Sequence, residues 1–215
     1  MGKFKKGILG KFSGTIASVV GSVWRGIPYM RSVADSHKDS KTPKQVAQRT
    51  RFGACTKFTN LIKTNVVLPI WEKKAVKMTG VNLFVKINQH CLDGEGNILD
   101  YPDMKFSIGN LPLPENILVQ NSQSGNGSIV ITWTANSGVL TAITTDRLML
   151  VTLAGNKPTV MSTLNFTRSA ETATVQLSNG AGETVHLYIF FSDPAGENYS
   201  TSFYAAVSIP SLPNP

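Results

Sequence analysis

The sequence predicts an α+β fold: an N-terminal basic β-ribbon with a small helical region, then a C-terminal antiparallel β-sandwich. Three observations predict it. Residues 1–90 carry 17 Lys/Arg against 3 Asp/Glu and residues 91–215 carry 4 against 10, so the overall +8 conceals two electrically opposite parts. In the basic part, β-branched and aromatic residues broken by regular glycines give way to well-signalled helix starts. Beyond Pro102, seven short strand-like runs separated by Gly, Asn, Ser and Pro clusters take over. The expected units are residues 1–92 (ribbon and helices), a connector at 93–114 and the sandwich at 115–215. With 41% hydrophobic residues in 215, the chain can bury a core, which excludes a disordered protein.

Each element follows from local chemistry. Residues 7–34 meet a glycine about every fifth position, which favours a twisted hairpin over a helix. Strands are expected at Thr15–Val20 and Val23–Val33 around a Gly21-Ser22 turn. Pro28 cannot donate to a ladder, which demotes the second strand to an edge or marks a bulge. After a polar linker at residues 34–41, Thr42-Pro43-Lys44-Gln45 reads as a capping box with proline at the first helical position. Ala47, Ala54, Cys55, Phe58, Leu61 and Ile62 then form one helical stripe. Arg51 projects into the middle of that stripe, where a cation must snorkel or find a partner. Pro69 is expected to open a second helix, Ile70–Met78, closed by Thr79-Gly80; Val81–Cys91 is the third of a small bundle. Asp93-Gly-Glu-Gly-Asn97 is a turn, since the later ligands of a calcium loop are missing.

The seven strands are expected at Ile117–Gln120, Ser128–Thr134, Arg147–Leu153, Thr159–Met161, Thr172–Leu177, Val185–Phe191 and Ser202–Ile209. Alternation is clearest at Ile129, Ile131 and Trp133 and at Val185, Leu187, Ile189 and Phe191, each giving one strand face to bury.

No constellation declares a reaction. His37, His90 and His186 lie in different segments. His90-Cys91, with Asp93 nearby, is the one grouping that suggests a metal or thiol nucleophile, but neither a base nor a thiolate-stabilising signature accompanies it. A helix-end histidine and a buried cysteine are expected instead, and an outward-facing His186. There is no Gly-x-Ser-x-Gly elbow and no phosphate loop. Two cysteines are too few for a disulfide framework or a four-ligand zinc site. The chain therefore reads as a non-enzyme with no cofactor, no metal and no small-molecule substrate. No run reaches the roughly 18 apolar residues of a membrane span, and the opening Met-Gly-Lys-Phe-Lys-Lys-Gly is not a secretion signal. The expected location is the cytoplasm or a virion-like particle.

The basic part is the better candidate for function. Lys3, Lys5, Lys6 and Lys11 cluster at the start, Arg25 and Arg31 sit on the ribbon, and Arg49 and Arg51 follow on the helix. Trp24 and Tyr29 interleave with them, a combination suited to strand addition against a protein or to phosphate contact with base stacking. The plain alternative is a solvated basic face over a packing face. A protein partner is expected, most simply another copy whose acidic half meets the basic one, giving a homo-oligomer; nucleic acid is the alternative partner.

The runs Gly7-Ile-Leu-Gly-Lys-Phe-Ser-Gly14, Val19-Val-Gly-Ser-Val-Trp-Arg-Gly-Ile-Pro-Tyr-Met-Arg-Ser32 and Thr42-Pro-Lys-Gln-Val-Ala-Gln-Arg-Thr-Arg-Phe52 resemble an uncharacterised domain-of-unknown-function family of Bacteroidota proteins. That resemblance implies no catalytic residues. Thr42–Phe52, Trp71 and Gly80-Val-Asn-Leu-Phe-Val85 are similar, more weakly, to elements of small phage structural proteins, implying a structural, self-assembling protein. The C-terminal part is similar to an immunoglobulin or fibronectin type III-like sandwich, with Trp133 as the core tryptophan of the second strand and Tyr188 to Ser202 in the last hairpin. The third strand departs from that pattern in lacking an aromatic. Such sandwiches mostly serve as spacers or interaction modules.

Overall fold

The computed structural model describes residues 2–3, 13–33, 41–122, 127–155, 157–161, 164–177 and 184–209. The capping box is formed: Thr42 Oγ1 accepts from the Gln45 amide at 3.4 Å, and the Gln45 side chain accepts from the Thr42 amide at 3.3 Å. It starts α1 (Pro43–Leu61). The chain then widens into a π-helix, Lys63–Trp71, and one further α turn, α2 (Glu72–Lys74). Pro69, expected to begin a new helix, lies inside the π segment. Bonds of the i to i+5 kind, such as Val67 N–H to Ile62 O at 3.2 Å, widen the turn and relieve the ring's clash with the preceding carbonyls.

Thr79, expected to close a helix, instead caps α3 (Gly80–Asn88), accepting from the Asn82 amide at 3.1 Å. Gly80 is required there, because a Cβ would lie 2.6 Å from the Glu72 backbone nitrogen. A 3-10 turn, Gln89–Cys91, follows.

The helical stripe is correct only in its second half. Cys55, Phe58 and Ile62 are buried, whereas Leu61 is exposed and all of residues 43–52, Ala47 and Arg51 included, face solvent. Among the described residues only the Asp93–Glu95 turn borders the first half of α1, across an open cleft, so its apolar pattern stays uncovered.

The ribbon has a different register from the one expected. Its strands are β1 (Gly2–Lys3), β2 (Gly14–Ile16), β3 (Val19–Trp24) and β4 (Ile27–Ser32), antiparallel in the order β1-β4-β3-β2. Gly21-Ser22 is not a turn; it lies within β3. The turns fall at Ala17-Ser18 and at Arg25-Gly26, where φ is 45° and 78°. Two consecutive positive φ values match the right-handed twist of a tight hairpin, which is why this pair turns the chain.

All seven runs expected in the C-terminal part are strands. One sheet is β5 (Glu115–Asn121), β6 (Ser128–Thr134) and β9 (Thr172–Gln176) in that order. The other contains β7 (Arg147–Ala154), β8 (Lys157–Met161), β10 (Thr184–Ser192) and β11 (Phe203–Ser208), ordered β11-β10-β7-β8. They enclose Ile129, Ile131 and Trp133 from one side and Leu148, Leu150, Leu187, Ile189 and Phe191 from the other. Trp133 meets Phe191 edge-on, ring centroids 5.5 Å apart, as the sandwich resemblance implied for a core tryptophan.

Arg168 is fully buried beneath this core. Its Nε donates to Asp146 at 2.9 Å, its Nη2 to the Pro112 carbonyl at 2.7 Å, and its guanidinium lies 5.0 Å from the Phe191 ring centre.

A second core lies on the opposite face of the four-stranded sheet. Val151, Leu153, Tyr188 and Phe190 pack there against Phe58, Val67, Trp71 and Phe84 of the helical region. Phe106, from the 93–114 connector, sits at the centre: its ring is 4.4 Å from Tyr188, 6.1 Å from Phe84 and 6.2 Å from Phe58, and its carbonyl accepts from Trp71 Nε1 at 2.8 Å. Buried Asn88 secures the connector, accepting from Lys105 N–H at 2.7 Å and donating to Lys105 O at 3.0 Å. The result is three layers, helices over sheet over sheet.

His186, expected to face outward, is partly covered by this arrangement. Tyr101 stacks on its ring at 3.6 Å and Tyr204 Oη pairs with Nδ1 at 2.8 Å, and burial holds its pKa below the ordinary imidazole value.

Candidate functional site

Strand registers decide which ribbon side chains share a face. Val20 pairs with Arg31, Ser22 with Tyr29 and Trp24 with Ile27, so one face carries Trp24, Tyr29 and Arg31. Pairing of Ile16 with Val19, Gly21 with Met30 and Val23 with Pro28 makes the other face aliphatic. Both faces leave apolar surface in water: Trp24 is 44% exposed, Val23 46% and Ile16 55%. Val33 and, on α1, Val46 and Phe52 add to it. Scattered exposed aliphatics are ordinary, but a sheet that exposes four of them on one face and a tryptophan on the other is not explained by its own stability.

The structure gathers some of the sequence-predicted residues and separates others. Lys5, Lys6 and Lys11 lie outside the described residues, and Lys3 is described only as the backbone register partner of Tyr29. Trp24 ends β3 and Arg25 occupies the adjoining turn. Arg31 is exposed on β4. Arg49 and Arg51 are both exposed on α1 but stand about 200° apart around the helix axis, so no flat ligand can meet both. Arg51 borders an open cleft shared with Ala47, Thr50 and the Asp93–Glu95 turn. Asp93 is fully used by that turn: the Asn97 side chain donates to it at 2.9 Å and the amides of Asn97 and Glu95 at 2.8 Å, which together hold its carboxyl below the usual range.

Glu72 was not singled out by the sequence, and it anchors the ribbon. Its carboxylate pairs with the Arg25 guanidinium and also accepts the Gly80 amide; the Arg25 bond, then the Gly80 bond, hold its pKa below the ordinary value. As the lone acid between Asp39 and Asp93, it could have been flagged as the basic half's internal counter-charge. Elsewhere, Lys73 Nζ ties the helical region to the β10–β11 connection, donating to Gly196 O and to Glu197 at 2.8 Å each.

A family profile described as a family of unknown function, DUF6266, spans residues 11–206. The chain belongs to DUF6266. The DUF6266 match runs from before β2 into β11, so β2–β4 of the ribbon, the helices and both sheets as far as β11 lie within the family unit, while β1 precedes it. It bears out the resemblance to an uncharacterised family of this length, and assigns no activity. No curated protein matches the chain. Among the described residues, no helix is long and apolar enough to cross a membrane.

Proposed function

We propose that this chain is a non-enzymatic structural protein that docks through its ribbon and the first half of α1 and presents the sandwich, as a component of a virion-like particle or filament. The observation that carries this reading is the aliphatic ribbon face, Ile16, Val19, Val23 and Met30, left exposed, as is the first half of α1. Aliphatic side chains give a protein surface something to bury and give a phosphate nothing to bind. Another copy of the chain is the simplest partner, because a half bearing 17 Lys/Arg to 3 Asp/Glu complements one bearing 4 to 10. A contact between unlike halves makes rings if it closes and fibres if it does not.

The second reading, binding of nucleic acid, is favoured by one observation, the placement of Trp24, Tyr29 and Arg31 on a single ribbon face. The two faces separate the readings. Light scattering across concentration and salt is expected to show association that Val23→Asp abolishes and Trp24→Ala leaves largely intact. A strictly monomeric full-length chain at high concentration would sink the assembly reading. Retention on a DNA or RNA column that falls steeply with salt, and that Arg31→Ala weakens, would install the other.

A further inference from the structure

His90 and Cys91 occupy the 3-10 turn that ends α3, and the turn after Asp100 brings Asp103 against them. His90 Nε2 lies 2.5 Å from Asp103 Oδ2 and 3.4 Å from Cys91 Sγ, and all three donor atoms fall within 4.8 Å of one another. In a nucleophile triad the two ring nitrogens face different partners, one the nucleophile and one the carboxylate. Here a single nitrogen converges with both, so the imidazole cannot relay a proton from sulfur to carboxylate. Convergence of three donor atoms on one point is the geometry of ligands around an ion. We propose that His90, Cys91 and Asp103 form a binding site for one divalent ion of the zinc class.

The distances and the chemistry fit that class. Tetrahedral zinc with sulfur, nitrogen and oxygen ligands places its donors about 3.3 to 3.6 Å apart, so the histidine–cysteine separation already matches, the histidine–aspartate pair opens by less than about 1 Å, and the cysteine–aspartate pair, within 4.8 Å, closes by no more than about 1.3 Å. One thiol, one imidazole and one carboxylate make a mixed set suited to a borderline-soft ion and poorly suited to calcium or magnesium. Three protein ligands leave the fourth position open to water, and the side chains of His90 and Asp103 are each about half exposed, which gives the ion a route in.

The local field also asks for a cation. The Cys91 thiol is completely buried with the Asp103 carboxylate within 4.8 Å of it, and the Asp100 carboxylate accepts from the Asp103 amide at 3.0 Å. The carboxyl end of α3 adds the negative end of a helix dipole. A dication offsets both carboxylates and takes the place of the thiol proton.

Cobalt is the probe, because its bond to a thiolate gives a sulfur-to-metal absorption band that zinc then displaces. The full-length protein is expected to take up one equivalent of Co2+ with that band. Asp103→Asn, at an exposed position that leaves the fold intact, should weaken binding at least tenfold, and Cys91→Ser should abolish the band. Cys55→Ser should change neither. Absence of the band in the unaltered chain, its survival in Cys91→Ser, its loss in Cys55→Ser or an unchanged affinity in Asp103→Asn would each overturn the site.

Discussion

Strands β10 and β3 are both six or more residues long and both central in antiparallel sheets, yet they live in opposite environments. From Val185 to Ser192, β10 is covered on both faces, by the three-stranded sheet beneath and the helical region above. In β3 only Gly21 is buried. Burial of apolar area contributes roughly 25 cal/mol per Å2, so the stability of this protein is concentrated around β10 and very little of it depends on the ribbon. Apolar surface left in water on an element that does not need it to fold is surface free for association.

Substitutions of graded severity test that contrast. Removing the aromatic at the meeting point of helices and sheet should hurt most: Phe106→Ala is expected to cost about 3–5 kcal/mol. Denaturation followed in parallel by helix and by tryptophan signals should show one shared transition, and two separated transitions would mean that the layers fold independently. Next is Arg168→Met, expected to destabilise by about 3 kcal/mol because Asp146 is then buried without its counter-charge. The double variant Arg168→Met/Asp146→Leu should recover most of this in urea titrations.

Effects of pH are smaller. Since the folded-state pKa of His186 is depressed, the unfolded chain binds the proton first, and stability should fall as pH drops below the ordinary value of 6.5. His186→Gln should flatten that slope in melts between pH 7 and 5. Arg25→Ala severs the ribbon's anchor, a partly exposed pair, and should lower stability by no more than about 1 kcal/mol. Glu72 is the depressed partner, so this contribution is present above its ordinary value of 4.5 and lost as the pH falls through the folded-state pKa. A melt series from pH 7 to 3 on both proteins checks the sign. Smallest of all, Trp24→Ala and Val23→Asp should shift monomer stability by no more than about 0.5 kcal/mol; a large loss there would show that the ribbon is part of the core after all.

The strands were legible because alternation and turn residues are local signals, and Thr42-Pro43 announced α1 for the same reason. What covers β10 was less legible, although the signal existed: Val185-His-Leu-Tyr-Ile-Phe-Phe191 is apolar or aromatic at nearly every position, the pattern of a strand buried on both faces. Reading only the alternating half left Tyr188 and Phe190 without a partner. In the ribbon, Gly21-Ser22 carries a turn signal of its own, but Gly21 pairs with both Gly14 and Met30, long-range partners that local sequence does not reveal, and the turn falls at Arg25-Gly26. Pro69 misled because a proline inside a π-helix is a rare context. Asp103, rather than the nearer Asp93, reaches His90 because the first carboxylate is spent on its own turn.

The second core also governs how this fold can be inherited or engineered. A free-standing sandwich cut at residue 115 would carry Val151, Leu153, Tyr188 and Phe190 bare to water, an adhesive face that invites aggregation. Such a piece could not be shuffled into another protein as a spacer. The smallest transplantable module begins at the Thr42 cap and ends with β11, and recombination that breaks it between helices and strands should leave insoluble fragments.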